Sequence, residues 1–156
     1  MRWISLIFWL VVCFAVAGLS ATWSGSAVRT WYTTLARPWI APPNWVFGPV
    51  WTLLYALMAI AVARVTQAAP SGVKSTAIAL FVLQLALNFA WSWIFFRSHQ
   101  IGWALAEIVI LWIAILFTTL AFARLSSTAA WLMTPYLAWV SFATLLNAEF
   151  WRLNRD

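Results

Sequence analysis

Charge is what this 156-residue sequence has least of: nine basic and three acidic residues, 8% in all, against 65% hydrophobic residues and a mean hydropathy of +0.91. Ordinary soluble domains carry about a quarter charged residues. So few charges cannot coat a globule of this size, which excludes a soluble domain and predicts that most of the outer surface meets lipid. A single cysteine, Cys13, inside the first apolar run, excludes an intrachain disulfide and reads as a small buried filler. One histidine, His99, with no second His or Cys at ligand spacing, argues against a metal site. Gly-rich phosphate loops, nucleophile elbows and paired carboxylates are also missing, so conventional hydrolase, kinase and dehydrogenase readings fail. The net charge of +6 does not point to nucleic acid, because the basic residues punctuate apolar runs and form no patch.

What is present is length of hydrophobic run. Five stretches can cross a bilayer, at residues 3–21, 45–65, 75–96, 101–123 and 129–151. Unbroken runs of this kind exclude an outer-membrane barrel, whose strands are short and alternating. The expected fold is an all-α integral membrane protein, a single five-helix domain over residues 1–156. The first run also has signal-peptide features, with Arg2 ahead of it and Ala15-Val16-Ala17 resembling a cleavage site. Its length, together with Trp3 and Trp9, favours a retained helix.

The one long connection, residues 22–44, is rich in Trp and Pro and is expected to fold over the bundle as a lid. The remaining connections are short, so consecutive helices are expected to be antiparallel neighbours. Asn44, Ser71 or Ser75, and a residue of Ser126–Thr128 are expected caps. Pro135 should bend the fifth helix beside Tyr136 and Trp139. Basic residues number four on the N-terminal side (Arg2, Arg64, Lys74, Arg124) and five on the other (Arg29, Arg37, Arg97, Arg152, Arg155). That bias places the N-terminus outside and the C-terminus in the cytoplasm.

Helical spacing groups Trp51 with Tyr55; Gln84 with Asn88 and Trp91; and Tyr136 with Trp139, Ala143 and Asn147. Amides are costly against lipid, so Gln84, Asn88 and Asn147 should face inward, either bonding between helices or orienting a flat ligand among aromatic walls. Of the fourteen tryptophans, Trp3, Trp45, Trp103, Trp131 and Trp151 fall at span ends and suit an interfacial belt, whereas Trp51, Trp91 and Trp139 suit a pocket. Glu149 should pair with Arg152, and Glu107, inside the fourth span, could accept bonds from a neighbour. Small-xxx-small spacings at Ala17/Ala21, Ala59/Ala63 and Ala86/Ala90 fit close helix packing or a homodimer.

Three stretches carry a resemblance to a known family. They are Arg37-Pro-Trp-Ile-Ala-Pro-Pro-Asn-Trp-Val-Phe-Gly-Pro-Val-Trp-Thr-Leu-Leu-Tyr55, Gln84-Leu-Ala-Leu-Asn-Phe-Ala-Trp91, and Pro135-Tyr-Leu-Ala-Trp139 followed by Leu146-Asn147. In order, they resemble the signatures of the translocator protein family, also called tryptophan-rich sensory proteins or peripheral-type benzodiazepine receptors. The resemblance implies a five-helix bundle, often dimeric, that binds porphyrins such as protoporphyrin or haem as ligands, with no tightly held cofactor, and cholesterol in animals. It implies a pocket lined by Tyr32, Trp39, Trp51, Asn88, Trp91, Trp139, Ala143 and Leu146, to which the stripe reading adds Tyr55. For some bacterial members it also implies light-dependent porphyrin degradation, associated with tryptophans matching Trp51 and Trp139. The cholesterol-recognition pattern wants Tyr where this chain has Phe150, between Leu146 and Arg152. A receptor or sensor in a bacterial cell membrane is therefore the expected role, with degradation or transport as alternatives. Transport is the less suited, since no inverted repeat is evident.

Overall fold

The computed structural model describes residues 2–155. Five helices long and apolar enough to span a membrane make up almost all of it: α1 (Trp3–Arg29), α2 (Phe47–Thr66), α3 (Gly72–Ser92), α4 (Ile101–Ala123) and α5 (Ser127–Leu153). No strand occurs among the described residues. A π-helical turn, Trp93–Arg97, extends α3, and His99 ends it with a left-handed φ of 57°. There Ser98 N–H donates to Trp93 O at 2.9 Å and Gln100 N–H to Ile94 O at 3.0 Å, so the widened turn still satisfies its carbonyls.

The first helix runs eight residues beyond the expected end at Ala21. Thr22, Ser24 and Ser26 look like loop residues in sequence, yet each hydroxyl bonds back to a helix carbonyl, those of Leu19, Ser20 and Trp23, at 2.7 to 3.0 Å. Those self-contained bonds let a polar stretch stay helical at the edge of a bilayer. The connection to α2 therefore shrinks to residues 30–46, with 3-10 turns at Trp31–Thr34 and Asn44–Val46.

Of the expected caps, Ser71 accepts from Lys74 N–H and Ser126 from Ala129 N–H, both at 3.2 Å. Asn44 does not cap α2; its Oδ1 accepts from Arg37 Nη1 at 3.2 Å, because α2 is preceded by a 3-10 turn that already aligns its first turn. Inside α5, Pro135 cannot donate to Trp131 O, and Thr134 Oγ1 fills that carbonyl at 2.7 Å.

Chain order does not give the packing order. The bundle runs α1, α2, α5, α4, α3 around its circumference, so α2 lies chiefly against α1 and α5 and touches α3 more lightly. The core reflects this: Met58, Val62, Phe81, Ile115, Phe122, Met133 and Tyr136, from α2 to α5, are all inaccessible. The outward residues Ile4, Ile7, Val11, Leu53, Ile110, Phe117 and Leu145 form an apolar exterior. The five predicted belt tryptophans are all exposed at helix ends.

Where α4 begins, Gly102 lets the Trp151 indole of α5 lie directly on the backbone; a Cβ there would meet Trp151 Nε1 at 2.9 Å. Gly102→Ala should therefore lower the thermal midpoint by a few degrees in the parent, about 1 kcal/mol. In a Trp151→Ala background it should cost nothing, and an equal loss in both backgrounds would show that the contact is not the cause.

Candidate functional site

A cavity of about 600 Å³ lies in the half of the bundle formed by the C-terminal parts of α1, α3 and α5 and the N-terminal part of α2. Four helices wall it because α1 leans against the π-helical turn of α3 at this end, while α4 stays behind α3 and α5. The volume falls within the range that holds a drug-sized ligand.

Its walls contain eight of the nine residues expected to bind ligand: Tyr32, Trp51, Tyr55, Asn88, Trp91, Trp139, Ala143 and Leu146. The ninth, Trp39, does not belong there. It is 92% exposed, at the turn of the connecting segment, and suits the interfacial belt better than a pocket. The connecting segment is also shorter than expected. Residues 22–29 are helix, and of residues 30–44 only Tyr32 and Asn44 reach the cavity. The segment packs on the end of the bundle, with Trp31, Leu35, Ile40 and Ala41 against the buried cluster of Tyr32, Phe95, Ile101, Leu146 and Phe150. It is fixed there by Ala36 N–H donating to Asn154 Oδ1 at 2.8 Å, Asn154 Nδ2 donating to Ala36 O at 3.0 Å, and Trp31 stacked on His99 at 4.2 Å between centroids.

Two amides tie the walls together. Tyr55 OH donates to Asn88 Oδ1 at 2.7 Å and Asn88 Nδ2 donates to Tyr136 OH at 2.9 Å, joining α2, α3 and α5 through groups almost without access to solvent. Trp91 Nε1 donates to Asn147 Oδ1 and Asn147 Nδ2 to Ile101 O, each at 3.0 Å, joining α3, α5 and α4. Interhelical bonding thus accounts for both asparagines, which also stand on the cavity wall. Gln84 is buried away from the cavity, with only a 3.9 Å contact from Nε2 to Met58 Sδ.

Aromatic rings grade the interior. Trp51 lies edge-on to Tyr136 at 6.2 Å and tilted on Tyr55 at 5.7 Å, and Phe47 meets Trp139 edge-on at 6.1 Å. At the α3 side Trp91 stacks on Phe95 at 5.1 Å, and Tyr32 packs on Phe150 at 5.0 Å. Phe150 therefore serves as wall in the place where the sterol pattern wants a tyrosine.

Two polar atoms on this wall are buried without a partner among the described residues, Tyr32 OH and Ser20 Oγ. Buried polar groups ordinarily find partners, so orphans beside an open cavity mark places where a ligand can bond. Arg29, exposed at the margin, adds a cation. Sequence reasoning missed the α1 wall, Phe14, Ala17, Gly18, Ala21, Gly25 and Val28: the last two lie beyond the expected helix end, and the others carry no polar or indole group to mark a stripe.

Elsewhere, Glu149 and Arg152 pair as expected at 2.7 Å, an exposed bond of little energetic weight. Glu107 does not find the neighbour expected for it: both carboxylate oxygens are buried and unpartnered among the described residues. No metal-binding cluster occurs among the described residues.

Comparison with known proteins agrees with this architecture. Residues 9–152 match the model of the TspO/MBR family. The chain is 40% identical over 152 residues to the tryptophan-rich protein TspO of Chlorobaculum tepidum, covering 97% of this chain and 96% of that one. It is 39% identical over 156 residues to the tryptophan-rich sensory protein of Cereibacter sphaeroides, covering 99% and 94%. To the human translocator protein it is 41% identical over 132 residues, covering 83% and 78%. With a match across nearly its full length and five apolar spans, four of which wall one aromatic cavity, the chain belongs to the TspO/MBR family.

Proposed function

We propose that this membrane protein is a receptor that takes a flat tetrapyrrole, protoporphyrin or haem, into the cavity between α1, α2, α3 and α5. One observation carries the reading: a cavity of about 600 Å³ is lined by the indoles of Trp51, Trp91 and Trp139, one from each of α2, α3 and α5. Planar apolar ligands gain most from such faces, both by burial and by ring-on-ring contact. Tyr32 OH, Ser20 Oγ and the Arg29 guanidinium supply a hydroxyl pair and a cation for the carboxylates that a porphyrin carries at its rim. The cavity occupies the end of the bundle that bears Arg29, Arg37, Arg97, Arg152 and Arg155, which the positive-inside rule assigns to the cytoplasm. A cytoplasmic tetrapyrrole would then meet the cavity end first.

Titration of the purified protein with protoporphyrin, followed by quenching of tryptophan emission, tests this. Trp51→Phe combined with Trp139→Phe should weaken binding about tenfold, the loss of roughly 0.5–1.5 kcal/mol of aromatic contact at each ring. Unchanged affinity in the double variant would remove these rings from the site.

A further inference from the structure

The other end of the bundle holds a second depression, lined by Arg2 and Ser5 of α1, Thr66 of α2, the segment from Gln67 to Pro70, and Lys74 of α3. Its framework is built. Ser5 Oγ and Thr66 Oγ1 share a 2.6 Å hydrogen bond that holds the start of α1 against the end of α2. Helix C-termini normally repel anions through their free carbonyls, but here those oxygens are occupied. Ala63 O accepts from Thr66 Oγ1 and Gln67 Nε2, Arg64 O from Gln67 N–H, Val65 O from Ala68 N–H, and Ala68 O from Lys74 Nζ, at 2.8 to 3.2 Å. The Lys74 bond fixes the ammonium at the rim and leaves two of its three donors free. Arg2 stands opposite, exposed, at the N-terminal boundary of α1.

The charged side chains that line the depression, Arg2 and Lys74, are of one sign. Among the described residues no acid lines it, and Glu107 and Glu149 lie toward the cavity end of α4 and α5. The N-termini of α1 and α3 add their positive ends to Arg2 and Lys74. Depth is set by the exposed Trp3 and Trp131, which mark the headgroup level at this end of the bundle. Thr66 Oγ1 donates to Ala63 O, so Ser5 is the donor in the bond to Thr66 and both hydroxyl protons are spent on the framework. A concave site at the headgroup level with Arg2 and Lys74 as its donors fits a phosphate group.

We propose that the depression between Arg2, Ser5, Thr66 and Lys74 is a binding site for a phosphate anion, specifically the phosphodiester headgroup of an anionic phospholipid in the adjoining leaflet. The site anchors the start of α1, the helix that supplies the small-residue wall of the cavity at its other end. It is independent of the porphyrin reading.

The test uses the full chain in nanodiscs of phosphatidylcholine, alone or mixed with phosphatidylglycerol, with bound anionic lipid counted by native mass spectrometry and the thermal midpoint recorded. The expected result is retained phosphatidylglycerol and a raised midpoint. Arg2→Gln should weaken retention about fivefold, Arg2→Gln with Lys74→Gln by more, in line with the effect of single charges at a membrane surface. Arg64→Gln with Arg124→Gln, which removes as much charge from the same side outside the depression, should change little. Equal losses in the two double variants would overturn the site in favour of diffuse attraction. Arg2→Gln alone, an exposed substitution, keeps the test valid should Lys74→Gln not fold. Inorganic phosphate titrated into the detergent-solubilised protein separates the sources: saturable stabilisation by phosphate, with no preference for the anionic lipid in discs, would overturn the lipid assignment.

Discussion

Asn88→Leu should destabilise the protein by about 2–4 kcal/mol. The leucine occupies nearly the same volume but leaves Tyr55 OH without its acceptor and Tyr136 OH without its donor, both almost without access to solvent. A buried hydroxyl stripped of its partner costs roughly 1–3 kcal/mol in a protein interior. Membrane hydrogen bonds are often worth less than 1 kcal/mol because the separated helices find other partners, which is why the sum is placed in the lower half of the soluble range. The asymmetry between making and abandoning a bond supplies the control. Asn88→Leu with Tyr55→Phe and Tyr136→Phe removes every polar atom of the network together and should recover most of the lost stability. Resistance to unfolding in mixed micelles, followed by circular dichroism, reads both. A single variant as stable as the parent, or a triple variant no better than the single, would show that this network does not hold α2, α3 and α5 together.

That network also shows what the sequence made legible. Tyr55, Asn88 and Tyr136 fall on stripes that any helical reading exposes, and the cost of an amide in lipid turned them inward before coordinates did. Five spans could be counted because the bilayer imposes a length, and the belt tryptophans were separable because they sit where runs end. The pairing of Asn88 with two tyrosines was not legible. Helical periodicity gives a face and not a partner, and short connections suggested α3 beside α2 when α5 occupies most of that flank. Hydrogen bonding and cavity lining were weighed as alternatives for the amides; the structure gives Asn88 and Asn147 both positions at once.

The departures at the helix end and at Trp39 share one origin, the treatment of residues 22–44 as a single loop. Serine, threonine and glycine signal breaks in a soluble chain, and Thr22-Trp-Ser-Gly-Ser looks like one. The hydroxyls instead satisfy the helix they interrupt, and the helix carries on to Arg29. A signal for this was available. Ala17, Gly18, Ala21, Ser24, Gly25 and Val28 recur at spacings of three and four, which is the period of a helix face and not of a loop. Read as a face, it predicts a helix that presents only small side chains to its neighbours, leaving space beside them. Trp39 failed for the complementary reason: Trp-Pro composition favoured burial of the segment as a whole, whereas one indole at a turn can face outward into the headgroup layer.

Emptiness on one wall therefore matters as much as the rings on the other, and Ala143→Trp puts that to measurement. Ala143 lies one turn beyond Trp139 on α5, on the wall that faces the small residues of α1. An indole placed there enters space that is already vacant, so it avoids the clash that makes enlargement of a packed core costly, and the thermal midpoint should fall by no more than a few degrees. Ligand affinity should behave quite differently. A rigid planar guest cannot fold around a ring standing in the middle of a cavity of about 600 Å³, so protoporphyrin binding should weaken by about 100-fold or more. Ala143→Ser, which adds a single oxygen, should bind within a few-fold of the parent and controls for loss of the methyl contact. Stability retained together with affinity lost is the signature of an occupied cavity. Protoporphyrin binding as tight to Ala143→Trp as to the parent would place the ligand on the lipid-facing surface and leave the interior of the bundle without a guest.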